Sequence, residues 1–147
     1  MAALAVLLVS WAGLRLAGSL GVAALGSWRD SGRWALALML VFTSSAHFTP
    51  MRHDLAKMVP AWFPEPMWAI YATGVLEIAA AIGILLPRTR SIAGICLCAL
   101  LVAMFPANVK AAFEGVTLGG NPATALWLRG PMQILFIWLA WWSTRTT

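Results

Sequence analysis

Charge is what this chain has least of: 10% of its 147 residues are Asp, Glu, Lys or Arg, and only five are acidic. Soluble domains carry about 25% charged residues, so there is too little polar side chain here to wrap an apolar core in water. Cysteine is scarce too. Cys96 and Cys98 are the only two, which excludes a disulfide-stapled scaffold. Two positions apart on a helix they point about 200° away from one another, so both are read as packing residues. No haem, flavin or iron–sulfur motif and no cluster of metal ligands is present, so no metal is expected. The net charge of +5 suggests nucleic acid at first sight, but the basic residues are scattered singly and form no patch interleaved with aromatics. Nucleic acid is therefore excluded as a partner.

What the chain has in abundance is apolar side chain, 61% of its residues, with a mean hydropathy of +0.83. A core of this size cannot hide so much, and the lipid bilayer must take the rest. The expected fold is an all-α integral membrane protein, a single transmembrane domain over residues 1–147. A transmembrane helix needs about 20 mostly apolar residues, and five stretches come close: about 2–27, 34–48, 67–86, 92–113 and 122–143. The first lacks the basic start of a secretory signal and is read as a retained span. Pro66 opens the third stretch and Pro87 closes it. Ser91 is the expected cap of the fourth, with Pro106 inside it. Asn121 and Pro122 are expected to start the fifth, which has Pro131 inside.

Between the second and third spans, residues 50–59 read as a short amphipathic helix. Met51, Leu55, Met58 and Val59 lie on one face, with Arg52, His53, Asp54 and Lys57 on the other. A stiff Pro60-Ala61-Trp62-Phe63-Pro64 wedge follows, and residues 49–66 together are expected to form an interfacial lid. Seven of the nine tryptophans fall near span ends, as in an aromatic belt. Five spans put Arg29, Arg33, Arg88, Arg90 and Arg145 on one side, opposed only by Asp30. That side is expected to be cytoplasmic, with the amino terminus outside and the carboxy terminus inside at the plasma membrane.

An ionisable group near the bilayer centre costs about 2.5–3.5 kcal/mol on insertion scales, so it is kept where it has partners or a task. Glu77 is such a group, about 15 Å from either end of its helix. Alternating span direction brings His47, Asn108, Arg129 and Gln133 toward one leaflet, and Tyr71, Thr73 and Gly74 lie on the helix preceding Glu77. Two readings stay open for Glu77. One is an ion pair with Arg129, or with Arg15, that locks helices together; the other is a pocket opening toward the lid. Catalytic roles are expected for Glu77 and His47, and ligand contacts for Asn108, Arg129, Gln133, Tyr71, Thr73 and Trp62.

These residues sit in motifs that resemble the DoxX-like small membrane proteins. The first half carries His47-Phe48, Met58-Val59-Pro60-Ala61-Trp62-Phe63-Pro64, Tyr71, and Thr73-Gly74-Val75-Leu76-Glu77-Ile78. The second carries Gly83-Ile84-Leu85-Leu86-Pro87-Arg88-Thr89-Arg90, Phe105-Pro106-Ala107-Asn108, and Leu126-Trp127-Leu128-Arg129 with Pro131 and Gln133. The resemblance covers about residues 33–144. It implies a bundle of four family helices, to which residues 2–27 add a fifth, with His47, Glu77, Asn108 and Arg129 as the family's polar set. Lys110 and Gly130 depart from its pattern. Relatives are described as quinone-linked oxidoreductase subunits, as members of redox complexes and as assembly chaperones.

The expected function is redox or acid/base chemistry on, or binding of, a small lipophilic ligand such as a quinone or isoprenoid. Glu77 would be the proton donor or acceptor and His47 a relay; electron transfer would need a bound quinone or a partner protein. The alternatives are a non-catalytic assembly factor or subunit of a redox complex, acting through a protein partner or a homo-oligomer, and a proton-coupled carrier.

Overall fold

The computed structural model describes residues 1–145. It is a helical bundle: α1 (Ala2–Ser19), α2 (Trp28–Ser45), α3 (Arg52–Met58), α4 (Pro66–Leu85), α5 (Arg90–Phe113) and α6 (Leu126–Thr144). One 3-10 turn, Ala23–Leu25, precedes α2, and a two-residue antiparallel hairpin precedes α6. Among the described residues three helices are long and apolar enough to cross a membrane, namely α1, α4 and α5. The protein is therefore a membrane protein with several spans. The five spans expected from the sequence reduce to three on length and composition. The first two turns of α2 carry Arg29, Asp30 and Arg33, and α6 carries Arg129 and Gln133 among four tryptophans.

Element boundaries follow local chemistry. α2 starts at Trp28, six residues before the expected Trp34, because Ser27 caps it. The Asp30 N–H donates to Ser27 Oγ at 3.0 Å, and the Ser27 hydroxyl donates to Asp30 Oδ2 at 2.6 Å. Each side chain satisfies the other at the helix start, where a carboxylate also suits the positive end of the helix dipole. The expected first span stops at Ser19 rather than 27. Pro66 opens α4 as expected, while α5 begins with Thr89 at its cap rather than Ser91, whose hydroxyl donates to Thr144 O at 3.3 Å.

The start of α6 needs correction. Asn121 and Pro122 do not cap it; they form the second strand of the hairpin, Asn121 opposite Leu118 and Pro122 opposite Thr117. Gly119 and Gly120, at φ of +56° and +81°, make the tight two-residue turn that these strands require. The Gly119-Gly120 segment is thus a built connection, and α6 starts four residues after Pro122, following Ala125.

α2 is the central helix, packed by α1, α4 and α6, with α5 joining α4 to α6. Its buried face, including Ala35, Leu36, Met39 and Leu40, meets Leu7 of α1, Ile84 of α4 and Leu139 of α6 in one apolar core. At one end of the bundle Arg33 is buried. Its Nε donates to Ser143 O at 3.0 Å and its guanidinium pairs with Asp30 at 3.0 Å, so α2 is tied to the last turn of α6. Around it Arg29 lies over Trp142 and Arg145 over Trp141. Arg33→Met keeps the apolar stem but removes these charged hydrogen bonds, and should cost about 1.5–3 kcal/mol. A lowered thermal midpoint in detergent, with release of the α6 terminus to protease, is the result to look for.

Candidate functional site

The polar residues expected inside the bundle sort into two groups at the end opposite Arg33. The first joins α2 and α4. His47 follows α2 and is 5% exposed; Glu77 of α4 is 4% exposed. The His47 Nδ1 lies 2.8 Å from Ile70 O. A carbonyl only accepts, so Nδ1 carries the hydrogen and donates it. In the neutral ring Nε2 is then the bare nitrogen. Nε2 faces the Glu77 carboxyl at 3.9 Å, just beyond hydrogen-bond reach, while Glu77 Oε2 accepts from the Thr43 hydroxyl at 2.9 Å. Thr73 completes the group: its hydroxyl lies 3.2 Å from His47 Nδ1 and donates to Ala69 O at 2.8 Å.

Gly74 makes this juxtaposition possible. A Cβ there would stand 2.7 Å from the His47 Cβ, so α4 approaches the end of α2 only because position 74 has no side chain. Thr43 is the member that the sequence reading left undistinguished within a Ser/Thr cluster. It precedes His47 by four residues, one helical turn, and so shares its face; that spacing was the available signal.

The second group joins α5 and α6. Arg129 donates to Asn108 Oδ1 at 2.6 Å, and the Gln133 amide donates to Leu101 O. Neither expected ion pair of Glu77 forms. Arg129 reaches Asn108 because α6 packs against α5 and α2 rather than alongside α4. Arg15 turns to the other end of the bundle and donates to Leu25 O and Gly26 O.

A cavity of about 400 Å³ lies above the first group, walled by α3, the Pro60–Phe63 segment, α4 and α5. His47, Thr73, Trp62 and Asn108 line it; Glu77 sits behind His47 and does not. Arg129 and Gln133 line a neighbouring cavity that shares Asn108, Leu55 and Met58 with the first. Tyr71 is 39% exposed and packs on Phe48 at 6.2 Å, outside both.

The short helix expected between the second and third spans is α3, and it is held down at both ends. The Lys110 ammonium donates to Lys57 O at 2.9 Å and Val59 O at 2.8 Å, closing carbonyls that the end of α3 leaves free. Asp54 accepts from Lys57 at 2.7 Å and from the Gly119 N–H at 3.1 Å, and these bonds hold its carboxyl below the ordinary carboxylate range. Among the described residues no group of three or more His, Cys, Asp or Glu is placed to hold a metal ion.

Residues 36–144 match the family model described as a domain of unknown function, DUF8561. The chain belongs to that family. The match runs from α2 through α6 and so contains His47, Glu77, Asn108 and Arg129, while α1 lies outside it. No curated protein and no solved structure matches the chain.

Proposed function

We propose that this protein binds a small lipophilic molecule in the cavity beside His47 and carries out acid/base or redox chemistry on it. The observation that carries the reading is the His47 ring. It lines the cavity, is oriented by Ile70 O through one nitrogen, and its other nitrogen lies 3.9 Å from the Glu77 carboxyl behind it. A small approach would let a proton pass between Glu77 and Nε2, and from Nε2 to a ligand, with Thr73 and Asn108 as hydrogen-bonding groups in the same wall. The cavity is otherwise apolar, as a ligand arriving from the bilayer requires.

The DoxX-like resemblance is consistent with this reading and suggests a quinone or isoprenoid as ligand. On the same reading α2, α4, α5 and α6 are the four family helices and α1 an added span. The end carrying Arg29, Arg33, Arg88, Arg90 and Arg145 faces the cytoplasm of a plasma-membrane protein, with the amino terminus outside. The bond between Thr43 and Glu77 also suits a second reading, a non-catalytic assembly factor whose polar groups only lock α2 to α4.

Mass spectrometry of organic extracts from purified wild-type and His47→Ala protein separates the two. A quinone or isoprenoid recovered from the wild type and depleted in the variant is the expected result. Extracts of both that contain only bulk membrane lipid would refute ligand binding and leave the lock.

A further inference from the structure

The cavity beside His47 does not end at the His47–Asn108 wall. A second hollow of about 550 Å³ runs between α4 and α5 toward the Arg33 end of the bundle, lined among others by Ala79, Ala80, Ala93, Cys96 and Leu97. Leu100 and Ala103 line both, so the two hollows adjoin along α5. Their chemistry differs. The first part has His47, Thr73 and Asn108 in its wall; the second is walled by alanine, leucine and one thiol. From Asn108 to Ala93 the α5 rise gives a length of about 22 Å.

Resting on the function proposed above, we propose that the ligand is an amphiphile with one long hydrocarbon tail. Its uncharged hydrogen-bonding head would sit beside His47, and its tail would lie along the α4–α5 groove as far as Ala93. Two features select this occupant. The buried His47 ring keeps Nε2 without a hydrogen-bond partner at the polar end, which calls for a head that donates or accepts there. The hollow between α4 and α5 is a single trough, so one hydrocarbon chain fills it. Small side chains on both helices make the groove: alanines at 79, 80, 93, 99 and 103 leave a trough that leucines would fill.

Photolabelling in nanodiscs tests this. Two probes are used, hexadecanol and octanol, each with a diazirine on its terminal carbon, and the modified residues are mapped by mass spectrometry. The hexadecanol probe is expected to label Ala93–Leu97, and the octanol probe Leu100–Ala107. Ala99→Phe, which lines the groove but not the His47 cavity, should reduce the hexadecanol label at Ala93–Leu97 by about tenfold while the octanol label persists. Cys96→Trp fills the far end without touching the cavity and should shift the hexadecanol label toward Leu100. Retained octanol labelling in both variants shows that they fold.

If both probes mark the same residues, or spread evenly over exposed lipid-facing positions such as Val9, Ile82 and Ile134, the tail groove is refuted. Octanol labelling that His47→Ala abolishes, with no distal hexadecanol label, would overturn the tail groove alone and keep the ligand cavity. Octanol labelling that ignores His47→Ala would overturn the ligand reading itself.

Discussion

Glu77→Gln is expected to lower turnover of the molecule recovered from the purified protein by about 10²–10⁴-fold, the range over which a positioned general acid or base contributes. The bundle should survive the change. A glutamine carbonyl still accepts from the Thr43 hydroxyl, which now bonds Glu77 Oε2 at 2.9 Å, and the side chain keeps its length within the contact between α2 and α4. What the amide cannot do is exchange a proton with His47 Nε2. Rates for the two proteins, set beside their thermal midpoints, therefore separate chemistry from scaffolding. Unchanged turnover with a lowered midpoint would mean that Glu77 is a lock and not an acid.

The second large effect concerns the contact that brings His47 and Glu77 together. Gly74→Ala places a methyl 2.7 Å from the His47 Cβ and 3.1 Å from the Phe48 ring. The His47 Cβ is fixed to the backbone and cannot rotate aside, so the two segments must separate. Overpacking of this kind costs about 1–3 kcal/mol, against the gain of about 0.5–1 kcal/mol that alanine brings over glycine inside a helix. Gly13→Ala in α1 gives the comparison, because nothing lies within 4 Å of a Cβ there and no proline follows it. The two substitutions should shift the thermal midpoint in opposite directions, and only the first should release bound ligand. Equal shifts would show that the close approach at Gly74 is not what holds the site.

Much of the site was legible in the residues because hydrocarbon makes polar groups conspicuous. A carboxyl in the middle of an apolar run, and a histidine at the end of another, stand out without coordinates. Asn108, Arg129 and Gln133 lie at the end of the bundle where His47 lies. Their partners were not legible. An ion pair of Arg129 with Glu77 is one reading that opposite charge allows, but neighbours in a bundle are set by which helices touch, and α6 leans on α5 and α2. Thr43 went unremarked because its role depends on facing Glu77 across a helix contact. The hairpin at Gly119-Gly120 was missed for a related reason: two strands of two residues leave no periodicity to read, and proline after asparagine looks like a helix start.

By itself the sequence determined that water is not the main solvent of this chain, where the apolar helices run within a residue or two for α4 and α5, and which few side chains must find company inside. Those follow from composition and local propensity, which act over one turn or one span. The tertiary structure alone decided that Glu77 answers to Thr43 and His47, that Arg129 answers to Asn108, and that a cavity beside His47 adjoins a hollow between α4 and α5. Each depends on the distance between helices far apart in the chain, and that distance is set by side-chain volumes on both partners together, down to the missing methyl at Gly74.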